Sequence, residues 1–207
     1  MTHVATLFDQ WAEAGRAEGM ETGHLRTAEP LLRNMPWGHG RRVLDLGCGN
    51  AWAARFAQAR GAHSVAIDVS PQMVRKAADN GITAVRADMT HLPFDDHCFD
   101  HVWSMEALYY APDPDAALHE TARVTKPGGM VTILIDFYRE NSASHSWPDD
   151  VGVPMALRSE GAWVQALTRA GFENAGSDRL KAVAAEDEEW KRSHGTLHLH
   201  GVRARNG

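Results

Sequence analysis

A glycine turn between a strand and a helix is the stretch of this sequence best suited to bind a ligand. An apolar strand pattern at 43–46 runs into Gly47-Cys48-Gly49, and a helical pattern follows. Glycines are needed where a backbone turns sharply and where a ligand approaches the main chain without meeting a Cβ. Asp68 ends the next predicted strand, a position from which a carboxylate accepts hydrogen bonds from ribose hydroxyls. The two features together predict a site for a nucleoside-containing ligand.

Either a dinucleotide or another adenosine ligand would suit such a site, and the turn itself discriminates between them. A dinucleotide fingerprint reads G-x-G-x-x-G, and its third glycine lets the helix pack closely against the strand. Trp52 occupies that position here, and no basic residue lies between Gly47 and Trp52 to assist a pyrophosphate. The sequence therefore disfavours a nicotinamide-dependent dehydrogenase.

Alternating helix and strand patterns position this turn. Residues 1–40 carry apolar side chains at helical spacing and predict two helices that are separated at 18–23. From residue 41 onward, β-branched runs alternate with helical windows, which indicates a parallel sheet with crossover helices. Strands are predicted at 43–46, 64–69, 82–87, 99–105, 130–137, 172–180 and 196–202, the first five of them buried; helices are predicted at 51–60, from Ser70 onward, at 113–126 and at 159–171.

Two segments lack a clear period. Residues 138–158 contain Trp147, Val153 and Met155, which favour an ordered lid over a disordered connection. Residues 182–194 carry the acidic run Glu186, Asp187, Glu188 and Glu189 and are predicted to be a solvated excursion.

Composition excludes several classes of protein. The 207 residues are 43% hydrophobic and 23% charged, which is ordinary globular usage. A net charge of −6 disfavours nucleic acid as a partner, because phosphate binding needs a basic face. No signal peptide or long apolar run is present, so we predict a cytoplasmic protein that binds no membrane. Cys48 and Cys98 cannot form a disulfide framework.

Four ordered motifs between Arg41 and Phe137 resemble the class I S-adenosylmethionine-dependent methyltransferases, and within them the methyltransferase type 11 group. The motifs are VLDLGCGN, AIDVSPQM, RADMTHLPFDDHCFDHVWS and RVTKPGGMVTILIDF. The resemblance implies an α/β, Rossmann-like, seven-stranded and mostly parallel sheet in the order 3-2-1-4-5-7-6, with strand 7 antiparallel, flanked by helices. One domain is expected, with a helical cap at 1–40, a cofactor-binding core at 41–137, a lid loop at 138–158, and a closing helix with the terminal strands at 159–207.

The resemblance also implies the residues that bind the cofactor S-adenosylmethionine and its product S-adenosylhomocysteine. Asp68 would bind the ribose, Asp88 would accept from the adenine amino group, and Met89 would pack on the adenine ring. The full expected set is Met20, His24, Asp45, Gly47, Cys48, Gly49, Asn50, Asp68, Val69, Asp88, Met89, Ser104 and Met105. Many relatives have a third glycine where this sequence has Ala51, the smallest possible departure, so binding is expected to survive.

Methyl transfer from a sulfonium is a direct displacement, so positioning and exclusion of water do most of the work and no fixed triad is required. The candidates for acceptor contact or for a base are His24, Glu106, Tyr109, Tyr110 and His145. A purely structural role competes for each: His24 would start the second helix, and either tyrosine would pack under the lid. Asp136 and Tyr138 follow the fifth strand, where groups specific to the acceptor usually lie.

We predict no metal site. His198 and His200 face the same side of a strand, with His194 nearby, but no carboxylate is close in sequence to complete a site. Histidines on an edge strand in contact with water are the preferred interpretation.

The acceptor is expected to be a small molecule. Ser104-Met105-Glu106-Ala107 follows the fourth strand in place of the Asn/Asp-Pro-Pro-Tyr signature of enzymes that methylate amide or base amino nitrogens. Two alternative functions stay open: a protein or RNA methyltransferase that works with a partner subunit, and a cofactor-binding module without turnover. The assembly also stays open between a homodimer and a complex with a partner subunit.

Overall fold

The computed structural model describes residues 2–182 and 189–205. In this part of the chain, seven strands form a single sheet. They are β1 (Arg42–Leu46), β2 (His63–Asp68), β3 (Thr83–Arg86), β4 (Phe99–Met105), β5 (Thr125–Ile135), β6 (Phe172–Leu180) and β7 (Thr196–Arg203). Their spatial order is β3-β2-β1-β4-β5-β7-β6, and β7 runs antiparallel to both β5 and β6. The predicted sheet order and the reversed last strand are confirmed.

Helices flank the sheet and cover its carboxyl edge. They are α1 (Thr2–Glu13), α2 (Arg16–Arg33), α3 (Trp52–Ala59), α4 (Pro71–Asp79), α5 (Pro114–Val124), α6 (Trp147–Val151), α7 (Glu160–Arg169) and α8 (Glu189–Ser193). Two single turns of 3-10 helix lie at Leu108–Tyr110 and Ser142–Ser144. None of these described helices has the length and apolar character that crossing a bilayer requires.

Side-chain caps start three of the helices where the sequence predicts them. The Ser70 hydroxyl accepts a hydrogen bond from the amide of Met73 at 3.0 Å, and the Ser159 hydroxyl accepts one from Ala162 at 3.2 Å. The Asp113 carboxylate caps α5 in the same way. Each cap satisfies an amide that the first helical turn leaves without a partner, which fixes where the helix begins.

The position of the break in the helical cap was predicted wrongly. The break falls at Ala14 and Gly15, and residues 18–23 lie inside α2. The glycines at 19 and 23 lower helix propensity, but tertiary contacts override propensity when they hold a helical turn in place. The Glu21 carboxylate provides such a contact through its ion pair with Arg55 on α3.

Two predictions about strands also need correction. α5 ends at Val124, and Pro127-Gly128-Gly129 lie within β5 rather than ending the helix, because Thr125 already pairs with Phe99 of β4. β3 is half-exposed rather than buried, because it pairs only with β2 and forms one edge of the sheet.

The loop segment after β5 is ordered and packs on the domain. Val153 is buried, and the amide of Ala156 donates to the carbonyl of Tyr109 at 2.8 Å. Trp147 begins α6 and lies against Phe137 at 6.4 Å between ring centroids. Of the predicted acidic excursion, residues 183–188 lie outside the described residues, and Glu189 opens α8.

The two glycines of the turn differ in how much space surrounds the position of a Cβ atom. A Cβ on Gly47 would lie 2.3 Å from the Cβ of Ala107, whereas a Cβ on Gly49 would meet nothing within 4 Å. Both glycines have positive φ, so alanine at either costs about 1–2 kcal/mol of backbone strain. Only Gly47→Ala adds a steric clash, which costs about 1–3 kcal/mol more. We expect urea unfolding of the cofactor-free protein to show this difference, and equal losses for the two variants would contradict it.

Candidate functional site

Two neighbouring cavities open at the carboxyl edge of the sheet. The larger, of about 370 Å³, extends from the ends of β1 and β2 to α1 and the segment after α6. Its lining includes Phe8, Gly47, Asp68, Val69, Asp88, Met89, Tyr110 and Met155. The smaller, of about 70 Å³, lies between α2 and the glycine turn and is lined by Phe8, Ala17, Met20, Glu21, His24, Cys48, Gly49, Asn50, Trp52, Asp68, Met73, Met105 and Glu106. Phe8 and Asp68 border both cavities.

The Asp68 carboxylate joins the end of β2 to the glycine turn. One oxygen accepts a hydrogen bond from the amide of Gly49 at 3.0 Å, and the other accepts one from the amide of Ser70 at 2.9 Å. Burial raises the pKa of Asp68 to about 6, against the opposing effect of these hydrogen bonds. The carboxylate therefore stands, oriented by two amides, on the border between the two cavities.

This arrangement fits an adenosine-containing cofactor. The larger cavity places Val69, Asp88 and Met89 around one compartment next to the Asp68 carboxylate, which suits a ribose and a purine ring. On the other side, the missing side chain of Gly49 leaves open space beside the turn, so a ligand can approach the main chain. The residues of the smaller cavity would then hold the methionine end.

Most residues expected to bind the cofactor lie on these walls, and two do not. Asp45 and Ser104 line neither cavity. The Asp45 carboxylate accepts from the amide of Ala54 at 3.1 Å, and burial raises the pKa of Asp45 to about 8. The Ser104 hydroxyl donates to the carbonyl of Leu46 at 2.9 Å. Both groups bond to the backbone next to the glycine turn, at Ala54 and Leu46. Their direct contact with the cofactor stays a prediction.

Comparison with known proteins agrees with this geometry. The type 11 family model, described as a methyltransferase domain, matches residues 44–133. Malonyl-[acyl-carrier protein] O-methyltransferase of Erwinia pyrifoliae is 33% identical over 97% of this chain and 76% of its own length. The chain belongs to the class I S-adenosylmethionine-dependent methyltransferases. Its cofactor is S-adenosylmethionine.

Solved structures of other methyltransferases share the fold. A putative methyltransferase of Haloferax volcanii, solved in complex with the Trm112 methyltransferase activator, is 36% identical with a TM-score of 0.88, covering 95% of this chain and 97% of that one. Phosphoethanolamine N-methyltransferase 2 of Haemonchus contortus, crystallised with S-adenosyl-L-methionine, has a TM-score of 0.69 at 18% identity, covering 86% of this chain and 52% of that one. The chain spans about half the length of several curated relatives.

Polar contacts hold the helical cap of this methyltransferase over the cofactor site. The Glu21 carboxylate on α2 accepts from the side-chain amide of Asn50 at 2.6 Å and pairs with Arg55 at 2.7 Å. The Asp9 carboxylate on α1 accepts from the Ser70 hydroxyl at 2.6 Å. Asn50, expected to contact the cofactor, thus also ties the glycine turn to the cap.

Three titratable side chains converge beside the smaller cavity. His24 on α2, Glu106 after β4 and Asp136 after β5 each offer a donor atom, and these atoms lie within 4.8 Å of one another. Burial and the nearby Asp136 raise the pKa of Glu106 well above its usual range. Burial lowers the pKa of His24 to about 4, so its imidazole is neutral at pH 7. The group combines two carboxyls and a neutral imidazole.

Glu106 is fixed in position from two sides. The Tyr109 hydroxyl donates to one carboxylate oxygen at 2.7 Å, and the backbone amide of Asp136 donates to the other at 2.5 Å. The backbone of Glu106 has φ 54°, a left-handed conformation that is costly outside glycine and that recurs at functional sites. The structure therefore brings the separate candidates Glu106, Tyr109 and His24 together, with Tyr109 orienting Glu106, and a catalytic role for them stays a prediction.

The other candidates lie apart from this group. Tyr110 lines the larger cavity, where its ring meets Phe8 edge-on at 5.0 Å between centroids. His145 is exposed on the surface, lines neither cavity, and lies 3.0 Å through its ring nitrogen from the carbonyl of Arg139. Tyr138 is buried, and its hydroxyl donates to the carbonyl of Gly195 at 2.7 Å. A catalytic role for Tyr110 or His145 stays a prediction that this geometry does not favour.

The histidines of β7 were misread from the sequence. β7 lies between β5 and β6, so it is not an edge strand, and His198 is buried. A carboxylate is also present: the β6–β7 register sets Asp178 opposite His198, 3.7 Å from its ring and 3.4 Å from that of His200. Strand pairing between distant segments places this carboxylate, and the local sequence carries no sign of it.

Sequence reasoning missed other parts of the site. Phe8, Glu21 and Trp52 line the smaller cavity, and Phe8 borders both. The spacing of apolar residues in the first helix marks Phe8 as part of its apolar face, but nothing in the local sequence shows that this face of α1 meets the cofactor site. Trp52, read as a departure from the dinucleotide pattern, forms part of the wall.

The pKa of Asp68 predicts how cofactor affinity depends on pH. Only the ionised carboxylate can accept from both ribose hydroxyls, and the pKa near 6 means that protonation competes with binding below that pH. We expect S-adenosylhomocysteine to bind about tenfold more weakly at pH 5 than at pH 7 in calorimetry. Asp68→Asn should bind weakly at both values and remove this dependence; a wild-type affinity that is flat from pH 7 to pH 5 would contradict the assignment.

Ala51 has the backbone conformation of the glycine that it replaces, with φ 60° and ψ 36°. Alanine costs about 1–2 kcal/mol in this left-handed region, partly offset by the greater entropy of glycine in the unfolded chain. The Ala51 methyl is also buried, and its loss costs about 0.8 kcal/mol, so Ala51→Gly should change the free energy of unfolding by less than about 1 kcal/mol. Ala54→Gly, inside α3, is the matched control because its methyl is equally buried, and it should lower the free energy of unfolding by about 1–2 kcal/mol. Equal losses in the two variants would overturn the interpretation that Ala51 is strained.

Proposed function

We propose that this methyltransferase transfers the methyl group of S-adenosylmethionine to a small-molecule acceptor held against His24 and Glu106. The observation that carries the proposal is that these two side chains line the same small cavity as Gly49 and Asp68 of the cofactor site. A nucleophile bound against these two side chains would lie at the edge of that cavity, next to the methionine end of the donor and under α2.

When bound, the cofactor supplies an electrophilic methyl group on a sulfonium. The acceptor's lone pair forms the new bond to carbon as the carbon–sulfur bond breaks, so the acceptor must first lose a proton if it is a hydroxyl or an ammonium. His24 and Glu106 are the groups placed to take that proton, and Tyr109 keeps the Glu106 carboxylate oriented. In this proposal the cap would limit the access of water, which otherwise solvates the nucleophile.

An oxygen acceptor is favoured. The relative from Erwinia pyrifoliae and other matched proteins are named O-methyltransferases. The end of β4 reads Ser104-Met105-Glu106 in place of the Asn-Pro-Pro-Tyr turn of enzymes that methylate amide nitrogens, which supports an acceptor atom other than an amide nitrogen. The net charge of −6 supports a small acceptor over a nucleic acid.

A second candidate is a methyltransferase that acts on protein or RNA together with a small partner subunit. The similar Haloferax volcanii protein was solved in complex with the Trm112 methyltransferase activator, and it matches this chain along nearly its whole length. This candidate requires a stable complex with a second chain, whereas the first does not.

A label-transfer experiment separates these functions. The purified protein is incubated with methyl-labelled S-adenosylmethionine and an extract of the cells that produce it, and the extract is then divided into small-molecule, protein and RNA fractions. We expect label in the small-molecule fraction. Asp68→Ala should abolish it, and Glu173→Ala, on the exposed surface of β6, should leave it unchanged.

Label in protein or RNA, increased by a co-purifying partner, would favour the second candidate and overturn the first. Tight binding of S-adenosylhomocysteine without label in any fraction would identify a binding module without turnover.

A further inference from the structure

We propose that His24, Glu106 and Asp136 bind a divalent transition-metal cation on the acceptor side of the cofactor site. The binding of the cation is independent of the proposed function, whereas its role in catalysis rests on that function. The sequence predicted no metal site, because these three residues lie far apart along the chain and share no spacing pattern.

The donor set has the composition and size of a metal site. One imidazole nitrogen and two carboxylate oxygens, all within 4.8 Å of one another, come from α2 and from the ends of β4 and β5. Adjacent strand ends are rigid supports, and β4 and β5 pair directly up to Met105 and Leu134. Three protein ligands leave coordination positions for water or a substrate, as in catalytic metal sites.

Neighbouring groups already orient one of these ligands. The Tyr109 hydroxyl and the amide of Asp136 each donate to a different oxygen of Glu106, so the carboxylate cannot rotate freely. Hydrogen bonds of this kind to a ligand strengthen metal sites, and removing them weakens metal binding. The Glu106 side chain lines the cavity that Gly49 and Asp68 also line.

The local charge also suits a dication. Two carboxyls that face each other in a poorly hydrated place repel one another when both are ionised, and a dication between them removes that repulsion. Lys191 on α8 interacts electrostatically with both His24 and Glu106 and so opposes cation binding. This opposition gives the proposal a second, independent test.

A mixed set of one nitrogen and two oxygens favours Zn²⁺, Mn²⁺ or Fe²⁺ over Mg²⁺ and Ca²⁺, which prefer oxygen alone. Bound at this place, the cation would ligate the acceptor oxygen and lower the pKa of its hydroxyl. His24 would then serve as a ligand, and the cation would replace it in promoting loss of the acceptor's proton.

The test is titration of the cofactor-free protein with Co²⁺ and Zn²⁺ alone, after treatment with a chelator. Co²⁺ reports its coordination through visible absorption, and Zn²⁺ binding is followed by calorimetry. His24→Ala and Asp136→Asn should each weaken binding at least about tenfold and remove the Co²⁺ spectrum. Lys191→Met should tighten binding severalfold, because it removes the opposing charge.

A control variant addresses the other histidine group. His198→Ala with His200→Ala removes the pair beside Asp178 and should leave the Co²⁺ spectrum unchanged. Binding of S-adenosylhomocysteine is measured on every variant as a check on the fold and on the cofactor site. No spectrum in the wild type, or a spectrum lost only with His198 and His200, would overturn the cation site while retained S-adenosylhomocysteine binding leaves the proposed function standing.

Discussion

The hydrogen bonds that the Asp68 carboxylate accepts from the amides of Gly49 and Ser70 are the contacts on which the site depends. They connect the end of β2 to the turn after β1 and to the start of α4, so one side chain aligns three elements. The same contacts leave the carboxylate at the border of the two cavities, where a ribose can reach it. Burial raises its pKa, and the amides keep it suited to accept hydrogen bonds.

The helical cap follows from this alignment. With the glycine turn and α4 fixed, the Asp9 and Glu21 carboxylates find their partners on Ser70, Asn50 and Arg55 and hold α1 and α2 across the carboxyl edge of the sheet. Apolar packing adds to these contacts, because Ala12 and Ala17 of the cap lie in one buried cluster with Met73 of α4. The polar contacts can each be exchanged for water at modest cost.

The helix α2 that covers the site also completes a group of titratable side chains beneath it. The ends of β4 and β5 bring Glu106 and Asp136 together, and α2 adds His24 from above. Burial lowers the pKa of His24 and raises that of Glu106, and such shifts are common at sites that handle protons or cations. The glycine turn with Asp68 and the group of His24, Glu106 and Asp136 thus come from different elements, and the proposed function gives the first the donor and the second the acceptor.

The sequence by itself determined the parts that depend on local patterns. Strand and helix periodicity, the caps at Ser70 and Ser159, and the glycine turn with Asp68 predicted alternating helices and strands and a site for a nucleoside-containing ligand. The resemblance of four motifs to a known family implied the sheet order and the cofactor. These features are readable because each rests on residues close together in the chain. The break in the cap was placed wrongly because Glu21 pairs with Arg55, a contact that overrides the local preference of Gly19 and Gly23.

Only the tertiary structure decided what lies beside the donor. Asp136 meets Glu106 because β4 and β5 pair in one register, and Asp178 meets His198 because β6 and β7 do. His24 joins the first group because α2 continues through residues where the sequence suggested a break. Contacts between distant segments follow from packing and strand register, which depend on the whole fold, and no spacing along the chain encodes them.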